Sequence, residues 1–341
     1  MKKDLNLNIQ PLGFMWEVRD PFIFCAHHLD YYPKGNQRME PDATLYGRSI
    51  GNDFTPKDGW RMYHGEYIPG FPAHPHRGFE TITIVETGFV DHSDSWGQAG
   101  RYGQGDVQWM TAGSGLQHSE MFPLLNGEDE NPLELFQVWL NLPAKDKFAK
   151  PFYKMLWNHE IPVYQFSDDS GKTCSIKLVA GSYDGIRAPD PAPDSWAADP
   201  VNEVAIWIIR LEAGAQWSVP PAPEGTGRTF YFYRGSSIRL EGQEIKAGNS
   251  FDMTADTELS IENGSDEALI VMLQGKPIAE PVAQYGPFVM NNAQEIRQAM
   301  LDYQATSFGG WPWPRHDHVH PREKGRFARY LGSETDVFPE Q

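Results

Sequence analysis

Two short patterns in this chain set metal-ligating side chains at a spacing that does chemistry: His74-Pro75-His76 and His118-Ser119-Glu120. Side chains on an extended segment alternate between faces, so residues two apart share one. Each pattern on a strand therefore aims both of its polar groups the same way. Pro75 has no amide to donate and favours an extended residue before it. Two such strands face to face offer three imidazole nitrogens and one carboxylate to a single ion. That donor set suits iron, manganese, cobalt, nickel, copper or zinc, and it leaves coordination positions open, as a catalytic site needs. A closed structural zinc site is the competing reading. It carries less weight because such sites are mostly thiolate-rich, and the only cysteines are Cys25 and Cys174.

The surrounding sequence says what must position these residues. Gly70, Gly78, Gly88, Gly103, Gly105, Gly113 and Gly115 punctuate short apolar runs such as Thr81-Ile82-Thr83-Ile84-Val85 and Asp106-Val107-Gln108-Trp109-Met110. Short strands between turn residues are the pattern of hairpins closing into a small barrel or sandwich. Further strands are expected over 21–26, 133–142, 175–180, 203–211, 229–233 and 269–274, with a linker over 143–151. A polar excursion from Tyr31 to Gly59 is expected to loop over the barrel mouth. His64 is expected to line the pocket. His27 and His28, adjacent on a strand, must point to opposite faces and are read as structural or surface residues. His92, in Asp91-His92-Ser93-Asp94, is read as solvent-facing.

These residues also carry a family likeness. His-Pro-His-Arg-Gly-Phe-Glu-Thr from His74 to Thr81, Gly-Asp-Val-Gln-Trp-Met-Thr-Ala-Gly from Gly105 to Gly113, His118-Ser-Glu120, and Gln-Tyr-Gly-Pro-Phe-Val-Met-Asn from Gln284 to Asn291 together resemble the pirin family of the cupin superfamily. The resemblance implies an all-β bicupin: two tandem β-barrel (double-stranded β-helix) domains with a short C-terminal helix and tail. It implies that His74, His76, His118 and Glu120 are the metal ligands. Glu80, where a general cupin carries its carboxylate ligand, stands outside that set. It also implies one divalent transition metal per chain, iron in the first place, and quercetin 2,3-dioxygenase activity, as in several pirins. On that reading the substrate is a small flavonol-like aromatic with dioxygen as co-substrate, and Glu120 is the catalytic base that takes the flavonol hydroxyl proton. Phe79, Met110 and Trp109 are candidates for pocket walls or core, although Trp109 and Met110, adjacent on a strand, cannot both face inward. The resemblance also implies a rival role, a metal-dependent, redox-sensitive protein that regulates a transcription factor or metabolic enzyme. The Glu128-Asp129-Glu130 run could serve a protein partner there, though such runs are usually solvated loops.

The chain is expected to divide into a metal-binding cupin domain over 1–145, a cupin-like domain without metal ligands over 146–275, and a helix and tail over 276–341. The two domains read as an internal repeat: Gly105 to Ala112 has a counterpart in Gly248 to Ala255. Counting along that alignment, His74 and His76 fall on Ala222 and Glu224, and His118 and Glu120 on Ile261 and Asn263. The second copy thus keeps no site. After Gly275, residues 292–304 show the apolar spacing of a helix that Asn291 or Asn292 can cap. His316-Asp317-His318-Val319-His320 follows on a tail expected to pack on a domain rather than to bind a second metal.

Composition narrows the function classes. A net charge of −17 disfavours a broad electrostatic grip on nucleic acid. No apolar run approaches a membrane span, the N-terminal Met1-Lys2-Lys3-Asp4 stretch lacks the apolar core of a signal peptide, and two distant cysteines fit a reducing compartment. The expectation is a cytoplasmic protein.

Overall fold

The computed structural model describes residues 7–253, 255–256 and 258–340. The chain is built almost wholly of strands, with one α-helix, Ala293–Thr306, among the described residues. Asn292 caps that helix by accepting from the amides of Gln294 and Glu295. No helix among the described residues is long and apolar enough to cross a membrane.

The strands gather into two compact units. One comprises residues 26–158 together with the chain from Glu280 onward. One of its sheets runs in the order Phe152–Leu156, Val107–Thr111, Phe79–Thr87, Asn131–Asn141, Phe22–Tyr32. The other runs Phe327–Arg329, Ala99–Gly103, Phe89–Asp94, Leu116–Met121, Gly70–His76. The alternation of each strand decides what enters the interior between the sheets. Phe79, Thr81 and Thr83 share one face, and so do Gln137 and Trp139 on the neighbouring strand. The turns obey the glycines: Gly78 and Gly115 both hold positive φ. A Cβ on Gly78 would lie 2.0 Å from the Val289 carbonyl oxygen, so both backbone shape and space exclude a side chain there.

The other unit comprises the residues up to Cys25 and 159–279. A seven-stranded sheet and a four-stranded sheet enclose a core that includes Trp207, Trp217, Phe230, Phe251 and Ile261. Ile9–Pro11 pairs with Asn249–Asp252, so the start of the chain packs in this second barrel, just as its end packs in the first. Composition shifts along the sequence do not signal either return.

The segment expected to be a linker is more ordered than its lysines suggest. Lys147 is 1 % exposed and donates to the carbonyls of Gly78 and Val289 and to Asn141 Oδ1. Burial lowers its pKa to about 8. The excursion after Tyr31 is pinned by Asp30, which is fully buried and accepts from the Arg61 guanidinium and the Tyr63 hydroxyl. Glu128 to Glu130 lie in an exposed loop.

A three-histidine cluster between two strands

The strand Gly70–His76 pairs with Leu116–Met121 so that His74 stands directly opposite His118. His76, two residues on, shares their face, and the three imidazoles bring one ring nitrogen each to within 4.8 Å of one another. Ring centroids lie 4.5 Å apart for His74–His118, 4.8 Å for His74–His76 and 5.0 Å for His76–His118. Glu120, on the same face, places Oε2 3.8 Å from His118 Nε2. The spacing that sequence singled out is thus realised on two adjacent strands.

The outer nitrogens of two of these rings are spoken for. His74 Nδ1 lies 2.9 Å from the carbonyl oxygen of Pro72, and His76 Nδ1 lies 3.4 Å from that of Pro287. A carbonyl only accepts, so each Nδ1 carries the proton and each Nε2 is left as the free lone pair. Backbone acceptors behind ligating histidines fix tautomer and orientation in this way. Burial lowers the pKa of His74 to about 4, and takes His76 and His118 well below the ordinary histidine value. All three are therefore neutral at physiological pH, the form a metal requires. His118 is fully buried, yet neither of its ring nitrogens has a hydrogen-bond partner. Such a group is costly unless something coordinates it. The donors present fit a first-row transition ion.

Glu120 is held at both oxygens. Thr83 Oγ1 donates to Oε1 at 2.9 Å and Gln137 Nε2 donates to Oε2 at 2.6 Å. Burial raises its pKa, and these two hydrogen bonds oppose the rise. Glu80 belongs to a different network: it is fully buried and accepts from Thr111 Oγ1 at 2.7 Å.

The walls near the cluster are aromatic. Phe79 lies 5.1 Å and Trp139 5.3 Å from the His76 ring, and the two pack on each other at 4.4 Å. Phe71 meets His74 at 6.3 Å and His64 at 5.7 Å, which puts exposed His64 at the outer edge of the site with its Nδ1 on the Gly51 carbonyl. Trp109 and Met110 are both fully buried and, as neighbours on one strand, face opposite ways. His27 bonds Glu134 Oε1 at 2.9 Å, and His28 packs against Tyr63 and Phe71. Both play structural parts.

The reading of His92 is overturned outright. His92 is not solvent-facing: it is fully buried, stacks on Tyr153 at 5.0 Å, and lies 5.4 Å from the His118 ring. The polar look of Asp91-His92-Ser93-Asp94 hid a strand whose residues 92 and 94 repeat the period of 118 and 120. Thr83, Gln137, Trp139 and Pro287 were also missed. Gln137-x-Trp139 carries the same two-residue signal, whereas a carbonyl contributed from the far C-terminal segment leaves none.

The tail packs as expected. Phe327–Arg329 adds to the sheet beside Ala99–Gly103, and the His316 carbonyl accepts from the Ala73 amide next to His74. His320 is buried with Nε2 on the His92 carbonyl, and His318 stacks on Trp313.

The second unit has no such cluster among its described residues, although the register corrects the count along the chain. Gln216–Val219 pairs with Leu259–Asn263, placing Trp217 opposite Ile261 and Val219 opposite Leu259. These reproduce His74 opposite His118 and His76 opposite Leu116, so the counterparts of the first two histidines are Trp217 and Val219, not Ala222 and Glu224. The count failed because the loop 220–226 is longer than the Arg77-Gly78 turn. Thr254, one anchor of that count, lies outside the described residues. Asn263 spends its side-chain amide on the carbonyls of Leu211, Glu212 and Asp266. Glu224→Ala, in an exposed loop, should therefore leave metal content unchanged. Elemental analysis showing a metal lost from this variant would contradict the register.

Two barrels of antiparallel strands, one carrying a three-histidine cluster inside, define a bicupin with one candidate metal centre among the described residues. Comparison with known sequences places the chain further. The Pirin family profile matches residues 16–140, and the profile of the Pirin C-terminal cupin domain matches residues 206–309. This chain belongs to the pirin family. It is 36% identical over 242 residues to a quercetin 2,3-dioxygenase candidate of Pseudomonas aeruginosa, covering 70% of this chain and 80% of that one. It is 34% identical over 247 residues to the Pirin of Homo sapiens, covering 70% and 78%. Among solved structures, quercetin 2,3-dioxygenase from Acinetobacter baumannii superposes with a TM-score of 0.69 at 25% identity over 89% of this chain and 97% of that chain.

Proposed function

We propose that this chain is a mononuclear iron protein that cleaves flavonols with dioxygen, with His74, His76, His118 and Glu120 as the ligands. The observation that carries the proposal is the cluster itself: three neutral imidazoles with a buried carboxylate oxygen 3.8 Å from one of them, beside an aromatic wall. The likeness to a quercetin 2,3-dioxygenase structure supports the choice of substrate. When bound, iron supplies Lewis acidity toward a substrate oxygen and one-electron chemistry toward dioxygen.

The chain supplies the rest. The histidines hold the ion through Nε2, oriented from behind by the Pro72 and Pro287 carbonyls. Phe79 and Trp139 offer flat apolar surface to a planar aromatic. Glu120 accepts the flavonol hydroxyl proton at Oε2, making the substrate electron-rich enough for dioxygen. Thr83 and Gln137 keep that carboxylate in place through the proton transfer. In the net reaction both oxygen atoms enter the ring-opened product and carbon monoxide leaves. We assign the protein to the cytoplasm, which its two buried free cysteines suit.

Glu120→Gln tests the base directly. The amide keeps the size of the side chain and one oxygen donor but cannot take the proton. Activity toward quercetin should drop by about 10²–10⁴-fold, well beyond any loss of bound iron measured on the same sample. Activity per bound iron equal to that of the parent protein would refute the role.

A further inference from the structure

Behind the cluster stand two buried nitrogens with complementary needs. His118 Nδ1 and His92 Nδ1 both lack a hydrogen-bond partner. Their side chains are fully buried, with ring centroids 5.4 Å apart and planes at 57°. Stranding a buried polar atom is costly, so two stranded on neighbouring rings call for an explanation.

Coordination accounts for only one side of His118. Its Nε2 faces Glu120, and a neutral ring ligating through Nε2 carries its proton on Nδ1, which must donate. The other ring has the opposite requirement. His92 Nε2 lies 3.3 Å from Asp94 Oδ2. Both oxygens of that carboxylate already accept from N–H groups of residues 96 and 98, so here too it accepts, Nε2 holds the proton and Nδ1 is left as an acceptor. We infer that His92 is a positioning residue of the metal centre: in the metal-loaded protein its Nδ1 accepts the Nδ1–H of His118, while Asp94 fixes the His92 tautomer from behind. The inference rests on His118 ligating through Nε2.

The sheet puts these groups on one face. Asp94 pairs directly with His118, and His92 with Glu120. His92 is also held firmly enough to orient another ring. It stacks on Tyr153 with planes 16° apart, and its carbonyl accepts from His320 Nε2 at 2.9 Å. Asp94 accepts from the Trp96 and Gln98 amides and from Gln98 Nε2, and its carbonyl accepts from Trp313 Nε1 at 2.7 Å. The C-terminal tail thereby braces the strand that orients His118, just as the Pro72 and Pro287 carbonyls orient His74 and His76. All three candidate ligands then have an acceptor behind them.

The test uses the full-length protein loaded with cobalt(II). His92→Phe keeps an aromatic ring on Tyr153 and removes the acceptor, whereas His92→Gln offers a side-chain carbonyl in its place. Competition with a chelator should show cobalt affinity falling by about ten- to a hundredfold in His92→Phe, with recovery of most of the loss in His92→Gln. In proton spectra of the cobalt protein, one hyperfine-shifted ring N–H should lose its protection from solvent exchange in His92→Phe, while the two bonded to Pro72 and Pro287 stay protected. A purely structural His92 would lower the melting temperature of both variants without changing cobalt affinity or N–H exchange, and that result overturns the inference. His118→Ala separates the two layers. If it binds cobalt like the parent, the ligand assignment itself fails. If it loses cobalt while His92→Phe matches the parent, only the role of His92 falls.

Discussion

His118→Ala is expected to empty the site of metal and abolish flavonol cleavage, the largest functional effect in the molecule. His118 lies 4.5 Å from His74 and 5.0 Å from His76 on the facing strand, and it is the ring nearest to Glu120. Removing it leaves two imidazoles on one strand and one carboxylate on the other, one donor short of the proposed set. Elemental analysis of the purified variant should show iron near background. The fold should survive, because without the metal neither ring nitrogen of His118 has a hydrogen-bond partner. Iron occupancy equal to that of the parent protein would sink the ligand assignment.

Arg101→Met is expected to produce the largest loss of stability, for the opposite reason. Arg101 is fully buried and grips Asp91 with two bonds of 2.7 and 2.8 Å. Its remaining donors reach the carbonyls of His320, Pro321 and Arg322 at 2.8, 2.9 and 3.2 Å. Methionine fills much of the volume but leaves the Asp91 carboxylate, itself fully buried, without its cation. Breaking a buried pair in this way costs roughly 3–5 kcal/mol. Chemical denaturation should show a loss of that size, and limited proteolysis should cut the tail beyond His320 sooner. An unchanged denaturation midpoint would mean that the Arg101–Asp91 pair does not secure the tail.

What could be seen in the sequence, and what could not, follows from the range of the signals. His74-x-His76 and His118-x-Glu120 were legible because a period of two is a local property of a strand, and sheet pairing needed only to bring the two patterns face to face. The helix cap at Asn292 and the strands rich in Ile, Val and Leu were equally local. His92-x-Asp94 obeys the same rule but sits among serines and aspartates, and the polarity of the run outweighed its period. Gln137 and Trp139 lie on a strand read as a barrel wall, without regard to which face they share. The long-range features left no trace: the Pro287 carbonyl behind His76, the N-terminal strand Ile9–Pro11 beside Asn249–Asp252, and the buried lysine in a supposed linker. Each depends on chain segments meeting from far apart. The shift from Ala222 and Glu224 to Trp217 and Val219 has the same origin, because a loop-length difference is invisible to counting but is fixed by strand register.

The central claim, a single iron centre that cleaves flavonols, is tested most directly by measuring dioxygen uptake and carbon monoxide release together, with quercetin as substrate and iron-loaded protein of known occupancy. The account predicts equimolar consumption of quercetin and dioxygen with equimolar release of carbon monoxide, all lost in His118→Ala. Fully iron-loaded protein that consumes no dioxygen and releases no carbon monoxide would contradict it, and would leave a metal-dependent interaction protein as the role to pursue.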